Sequence, residues 1–458
     1  MAAESKDEGK EGELRDLKGT QSFMPAEQIE REYIADTLRR HFKTYGYRPV
    51  ETSILEFYDI AASKYGGGAE ILKETYKLKD QGERSLCLRY ELTFKLAKLV
   101  GMNPNVRMPF KRYEIGKVFR DGPVSTGRLR EFTQCDVDVV GTKSPMADSE
   151  LMALAFSIFR DLGIGVYIEV NSRSLLFGIF KQVGIHESKY IDAALSIDKL
   201  PKVGEASVRE EMLGKGFSKE AIEGVFEIMT SASMCTSNMQ RIEYVEESAP
   251  NDLAKKGAAE LKEMLGFFES MGVKGDLRIT PSLARGLGYY TGIMYEVYAA
   301  KGSMKSALAG GGRWDNLIMG FLGSKREYPA TGIAFGLDAI YAALKDTKKA
   351  EPETDRTKRV PMLLVIPIGT MAESLKLLQQ ARDLGMSADL LPDKGLMKAL
   401  EYANKESIPY ALILGKEELS NGTVKLRDME TGKESEISLN ALKSALEALN
   451  EYGKFSYK

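Results

Sequence analysis

The sequence predicts an α+β domain built on a mostly antiparallel sheet, with a helical insertion inside it and a smaller α/β domain after it. Alternating, strand-like runs stand on both sides of a long, mainly helical stretch from about 145 to 280. A charged segment containing proline, "KDTKKAEPETDRTKR" at 345–359, then interrupts the pattern. Beyond it, apolar runs alternate with helical patterns, which is the texture of a partly parallel sheet. The expected boundaries are a solvated, disordered tail at 1–17, a first domain at 18–345 with its helical insertion at about 172–275, a linker at 346–359 and a second domain at 360–458.

Taken in order, Ile29, Tyr33, Ile34, Leu38 and Phe42 fall at helical spacing, and that helix ends at Gly46 before the extended "YRPVETSILE". "TYKLKDQGERSLCLRYELT" alternates like a hairpin with "DQGE" as its turn. In "YEIGKVFRDGPVSTGRLREFTQCDVDVVG", two alternating runs flank a loop rich in turn residues. Period-two reading of the second run puts Thr133, Cys135, Val137 and Val139 on one face, and Gln134, Asp136 and Asp138 on the other. That strand has an apolar back and an acidic front. Strands return in "GYYTGIMYEVYA", where period-two reading puts Tyr290, Gly292, Met294 and Glu296 on one face and Tyr289, Thr291, Ile293 and Tyr295 on the other, and in "SALAGGGRWDNL"; "TGIAFGLDAIYAAL" reads as a strand entering a helix. After the linker come "MLLVIPI", a helix, "SADLL", a helix, "YALILG", "TVKLRDM" and a final helix.

Composition narrows the function classes. At 43% hydrophobic and 28% charged, the chain can build real cores. No apolar run approaches the roughly 18 residues of a membrane span, and the charged N-terminus lacks the apolar core of a secretory signal. Three dispersed cysteines argue for a reducing compartment, so the expectation is cytoplasmic, with no metal site. Only two histidines, His41 and His186, are present, and both sit in helical or turn settings that suit structural roles. Histidine-based triads and histidine-rich metal sites are nearly excluded by count. A net charge of −2 leaves no global field for nucleic acid, so RNA contact must use local patches.

The glycine-rich "YGGGAE" at 65–70 lacks the lysine and context of a phosphate-binding P-loop and reads as a flexible active-site loop. "GGGRWDNL" follows an antiparallel run, which makes a dinucleotide-binding reading weak. Arg120, at a strand end, is in isolation a surface charge. With Arg128 and Arg130 nearby, and Arg285 and Arg313 from distant sequence, an anionic partner becomes the better reading, because guanidinium groups match phosphate geometry. If the strands form one sheet, these arginines converge on a polyphosphate while Gln134 and Asp138 line an adjoining pocket.

From about Gly19 onward the chain resembles the histidyl-tRNA synthetase family, in its archaeal or eukaryotic style. "RGLGYYTG" and "GGGRWDNL" are similar to that family's two signature motifs, "FRDGPVSTGRLREFTQCDVD" to motif 2 of class II synthetases, and "TGIAFGLDAI" to motif 3. The helix and strand around 28–56 sit where motif 1 belongs. "LRYELT" at 88–93 matches the segment that reads the substrate amine, and the C-terminal unit resembles a class IIa anticodon-binding domain. The resemblance implies a class II catalytic sheet, ATP with Mg2+, histidine and tRNA(His) as partners, a homodimer, and a histidyl-adenylate intermediate.

It also implies roles. Arg120 and Arg285 are the catalytic arginines on either side of the α-phosphate. Glu91 and Thr93 read the α-amine, while Gln134, Asp138, Tyr289 and Tyr290 hold the histidine. Arg128, Gly311, Gly312 and Arg313 join Arg120 at the ATP. Departures stand at Gly288, Ser53 and Trp314, and at Ala339, where motif 3 usually has an arginine for the γ-phosphate. A catalytically silent paralogue that binds histidine or tRNA for regulation is the alternative that Ala339 favours.

Overall fold

The computed structural model describes residues 14–64, 69–125, 128–285, 288–323, 326–348, 361–392 and 394–455. The tail as far as residue 13, the tip of the 65–70 loop at 65–68 and most of the 346–359 linker lie outside them. The chain divides into two compact units, one essentially Arg31–Pro352 and the other Glu353–Lys458.

The chain opens with α1 (Pro25–Thr44), which belongs to the first unit from Arg31 onward, and continues with β1 (Arg48–Pro49), β2 (Leu55–Phe57), α2 (Tyr58–Lys64) and α3 (Ala69–Lys73). There follow β3 (Lys77–Lys79), β4 (Ser85–Leu88), α4 (Thr93–Met102), β5 (Phe110–Phe119), β6 (Glu131–Val140) and α5 (Met146–Asp161). Next is β7 (Val166–Ser172), then the helices α6 (Arg173–Gln182), α7 (Tyr190–Ile197), α8 (Leu200–Gly214), α9 (Lys219–Met234), α10 (Asn238–Ser248) and α11 (Asp252–Ser270). The unit closes with β8 (Asp276–Ile279), β9 (Ile293–Ala299), β10 (Ala309–Arg313), α12 (Leu317–Leu322), β11 (Ala330–Gly336) and α13 (Leu337–Lys348).

Eight strands form the main sheet in the order β1-β5-β6-β11-β10-β9-β7-β8. Only the outer pairs β1/β5 and β7/β8 are parallel. The helical reading of 145–280 therefore needs a correction: β7 and β8 lie within it and complete one edge of the sheet. In β7 the fully buried Ile168 and Val170 alternate with the half-buried Glu169, a period of two, but over too few residues to stand out between helices.

The apolar face of β6 packs as its alternation requires. Cys135, Val137 and Val139 join one core with Ile34, Leu38 and Phe42 of α1, with α5, and with α13. Helix α5 is buried along nearly its whole length, and the Ser149 hydroxyl donates to the Met264 carbonyl of α11, tying the helical insertion to the sheet's back layer. His41 belongs to this framework, its Nε2 lying 2.9 Å from Asp161 Oδ2, and His186 caps a short helical turn through Ser188. A second, three-stranded sheet pairs β2 with β4 and β4 with β3, and the latter pair is the "DQGE" hairpin.

The second unit contains β12 (Leu363–Ile368), α14 (Met371–Asp383), β13 (Ala388–Leu390), α15 (Leu396–Lys405), β14 (Tyr410–Gly415), α16 (Lys416–Asn421), β15 (Thr423–Asp428), β16 (Glu434–Ser438) and α17 (Leu442–Phe455). Its sheet runs β13-β12-β14-β15-β16, parallel through the first three strands and antiparallel beyond. The sequence missed β16, whose side chains are mostly exposed and carry little apolar signal.

Candidate active site

The site is built on the front of the main sheet, and strand register explains its layout. Arg112 of β5 pairs with Asp138 of β6, Asp138 with Gly332 of β11, and Gly332 with Gly312 of β10. The next row on the same face runs Glu114, Asp136, Ala334, Gly310 and Glu296. Polar side chains thus stand on β5 and β6, while the middle of the sheet is floored with glycine. The bare floor has a purpose in the geometry: a Cβ on Gly310 would lie 2.0 Å from Arg285 Nη1, and one on Gly332 would lie 1.9 Å from Asp138 Oδ1.

Above this floor, a cavity of about 50 Å³, several times the room one water needs, is lined by Glu91, Thr93, Arg120, Gln134, Asp138, Arg285, Tyr289, Tyr290, Gly311 and Gly312. These are ten of the positions expected from sequence, and they arrive from five segments of chain. Asp136 and Trp314 line it as well. The strand-like alternation expected across 289–296 fails at its start, because β9 begins only at Ile293. Tyr289 and Tyr290 lie in the irregular approach, their rings 4.9 Å apart, and both reach the cavity rather than taking opposite faces.

Each side chain is held in place. Tyr289 donates its hydroxyl to Glu91 Oε2 at 2.8 Å, while Glu91 Oε1, also buried, has no hydrogen-bond partner among the described residues. Burial pushes the Glu91 carboxyl up, against the bond from Tyr289 and the charge of Arg120. Arg120 stacks over the Tyr90 ring at 4.3 Å and donates from Nε to the Tyr90 carbonyl at 3.3 Å. Arg285 donates from Nη1 to the Tyr295 carbonyl at 3.1 Å and lies 3.8 Å from Glu296. Burial opposes its charge, but Tyr290 and Glu296 hold it firmly protonated. Asp138 Oδ2 is 2.8 Å from Arg112 Nη2, and Trp314 donates to the same carboxylate. Burial still pushes Asp138 up to about 6, against both of those groups.

Two expected ATP ligands lie elsewhere. Arg313 is on the opposite face of β10, where it donates to the Thr142 and Ser144 carbonyls at 2.9 and 3.0 Å and to Asp148 Oδ2 of α5 at 2.5 Å. The alternation of β10 sends it to the back layer, so its role is to hold α5 against the sheet. Arg128 sits on the hairpin between β5 and β6, half exposed and 3.2 Å from Glu74, outside the cavity lining. At the start of α13, Asp338 accepts from Arg31 at 2.5 Å and from the Thr133 backbone N–H at 2.8 Å, which pins motif 3 to β6, and Ala339 is buried beside it.

Sequence reasoning put Asp136 on the front face without giving it work, and treated Trp314 only as a departure from a motif. The first was legible from alternation. The second needed the register that places Trp314, one residue beyond β10, beside Asp138.

The family model described as histidyl-tRNA synthetase matches residues 19–340, and one described as an anticodon binding domain matches 363–449. A curated relative, histidine–tRNA ligase 1 of Bacillus cereus, is 44% identical over 433 residues, covering 94% of this chain and 97% of that protein. Histidine–tRNA ligase 2 of Shouchella clausii is 39% identical, covering 93% and 99%. Among solved structures, histidyl-tRNA synthetase from Nostoc sp. superposes with a TM-score of 0.79 at 27% identity, covering 95% of this chain and 99% of that one.

Proposed function

Because the chain belongs to the histidyl-tRNA synthetase family, we propose that it attaches histidine to tRNA(His) by way of a histidyl-adenylate. The carrying observation is that two arginines from distant segments, Arg120 and Arg285, line one small cavity with the buried Glu91 and with Gln134 and Asp138. In this reading Glu91, with Thr93 at the first turn of α4, takes the α-ammonium of histidine. Gln134, Asp138 and Tyr290 surround the ring, while Tyr289 fixes Glu91 for its task.

The histidine carboxylate then attacks the α-phosphorus of ATP, and pyrophosphate leaves. Negative charge grows on the α-phosphate oxygens during that step. Arg120 and Arg285 are already fixed beside the reacting centre, so the charge is met without reorganisation. In the second step, the terminal ribose hydroxyl of the tRNA attacks the activated carbonyl and AMP departs.

ATP is the family's energy source, and in this reading its triphosphate extends from Arg120 toward the hairpin that carries Arg128. Magnesium enters with the nucleotide, held mostly by phosphate and water oxygens. With Ala339 in motif 3, the γ-phosphate depends on other cations. The second unit reads the anticodon, and the chain works in the cytoplasm.

A homodimer completes the proposal. On one face of the three-stranded sheet, Leu55 pairs with Leu88, and Leu86 with both Phe57 and Leu78. Leu55, Phe57 and Leu78 are 47%, 43% and 36% exposed. Such a contiguous apolar face, in the motif 1 region, suits a second copy of the chain.

The test is amino-acid-dependent ATP–pyrophosphate exchange by the purified full-length protein without tRNA, each amino acid offered in turn. Exchange with histidine alone is expected. No exchange from a folded protein that still binds histidine would replace the enzyme with the silent paralogue.

A further inference from the structure

We propose that Asp136 is a second carboxylate for the substrate ring, so that histidine is held with both ring nitrogens protonated, one donating to Asp138 and the other to Asp136. This rests on the histidine-activating reading above. Asp136 stands two residues before Asp138 on β6, so both side chains project from the same face. It is 2% exposed, it lines the cavity, and its Oδ1 has no hydrogen-bond partner among the described residues.

The neighbours of Asp136 explain why that oxygen is available. On β11 its cross-strand partner is Ala334, which offers no donor, and on β5 it is Glu114. Glu114 is already satisfied on one oxygen by Arg89 at 3.0 Å and by the Thr52 backbone and hydroxyl. Asp138 has Arg112 and Trp314. Asp136 faces Arg112 only at longer range, and it faces Asp138, Glu91 and Glu114 as like charges. Arg120 and Arg285 line the same cavity but are held against Tyr90 and Tyr295.

The unpartnered buried atoms around the cavity point to the ligand's chemistry. Among the described residues that line it, Glu91 Oε1, Gln134 Oε1, Asp136 Oδ1 and the ion-paired Asp138 Oδ2 lack a hydrogen-bond partner and all are acceptors, while the unpartnered Nε and Nη1 of Arg112 lie outside the lining. A ligand that satisfies them must bring donors. The α-ammonium supplies three N–H groups to Glu91 and its surroundings. A neutral imidazole has a single N–H, whereas an imidazolium has two. With carboxylates at both Asp136 and Asp138, the two-donor ring is the complement.

The proton can come from the protein itself. Burial holds the Asp136 carboxyl well above the usual carboxylate range; Arg112 opposes this, and Asp138, Glu91 and Glu114 add to it. That environment disposes the Asp136 carboxyl to hold a proton until substrate enters. When neutral histidine binds, the Asp136 O–H bond breaks and an N–H bond forms on the ring. Two neutral groups become a carboxylate–imidazolium pair, and no proton is drawn from solvent.

The experiment compares histidine with triazolylalanine, an isostere whose ring is far less basic, in pyrophosphate exchange by the full-length protein. Wild type should favour histidine in kcat/KM by about 10- to 100-fold, the range of a charge-assisted hydrogen bond. Asp136→Asn should raise KM for histidine more than it lowers kcat, and bring the two substrates to within about threefold. A ratio unchanged in that variant overturns the proposal. Should the variant fail to fold, wild-type protein with ring-15N-histidine decides the matter by NMR. At about pH 8, where the free ring is neutral, both ring nitrogens of bound histidine should carry protons, and one bare nitrogen would overturn the proposal. A wild-type protein that activates no histidine removes the function reading, and this inference with it.

Discussion

On the back of the main sheet, Arg313 meets Asp148, Asp148 also accepts from Thr331 at 2.6 Å, and the Tyr295 hydroxyl donates to the Gly332 carbonyl at 3.0 Å. On the front, a few ångströms away through the same strands, Glu91, Gln134 and Asp136 each keep a buried polar atom without a partner among the described residues. Both faces carry buried charge. The back face is internally satisfied, as a structural network must be to justify its desolvation. The front is not, and its unmet atoms surround a cavity. The contrast separates charge that holds the fold from charge that waits for a ligand, and it is sharpest for Arg313 and Arg285. Both come from glycine-rich signature segments, yet one ends in each layer.

The largest expected effect lies on the back. Arg313→Ala leaves Asp148 buried without its cation, a loss of about 3–5 kcal/mol. That should lower the thermal unfolding midpoint by about 10 °C. An unchanged midpoint would erase the distinction between the two faces. Next comes Gly310→Ala on the front. Its added methyl would stand 2.0 Å from Arg285 Nη1, and the guanidinium, as the flexible partner, gives way. Stability should hardly change while exchange falls about 10²-fold, the cost of a roughly 1 Å misplacement at a reacting centre. Normal exchange in that variant would show that the position of Arg285 does not matter.

The smallest effect is a pH dependence. Folding raises the Glu91 carboxyl above its unfolded value, chiefly through burial. Stability conferred by its protonated form is complete below the unfolded pKa of about 4.3 and is lost as pH rises through the folded value. Glu91→Gln keeps an acceptor for Tyr289 and removes that loss. Its stability should match wild type near pH 4 and exceed it at neutral pH, while KM for histidine rises. Denaturant curves across that range decide it, and an advantage that shrinks with rising pH would reverse the sign.

What the sequence disclosed follows from which signals are local. The alternation of β6 was enough to place Gln134, Asp136 and Asp138 together, because a seven-residue run with period two has only one folding face. Arg313 was misplaced because parity along β10 could not be tied to front or back until its own partner Thr331, and the partners Tyr295 and Ile333 of Gly311, fixed the register. Tyr289 and Tyr290 defeated the period-two reading because the chain there is not yet a strand. The unused potential of Asp136 depended on the absence of a donor at Ala334, a fact that lives in the pairing of β6 with β11.

The most direct measurement of the central claim is histidine-dependent pyrophosphate exchange by Arg285→Ala, taken together with its unfolding midpoint. The account predicts exchange slower by about 10²–10³-fold, by analogy with loss of an oxyanion donor, in a protein whose midpoint stays near that of wild type. Near-normal exchange, or a collapse in stability like that expected for Arg313→Ala, would contradict it.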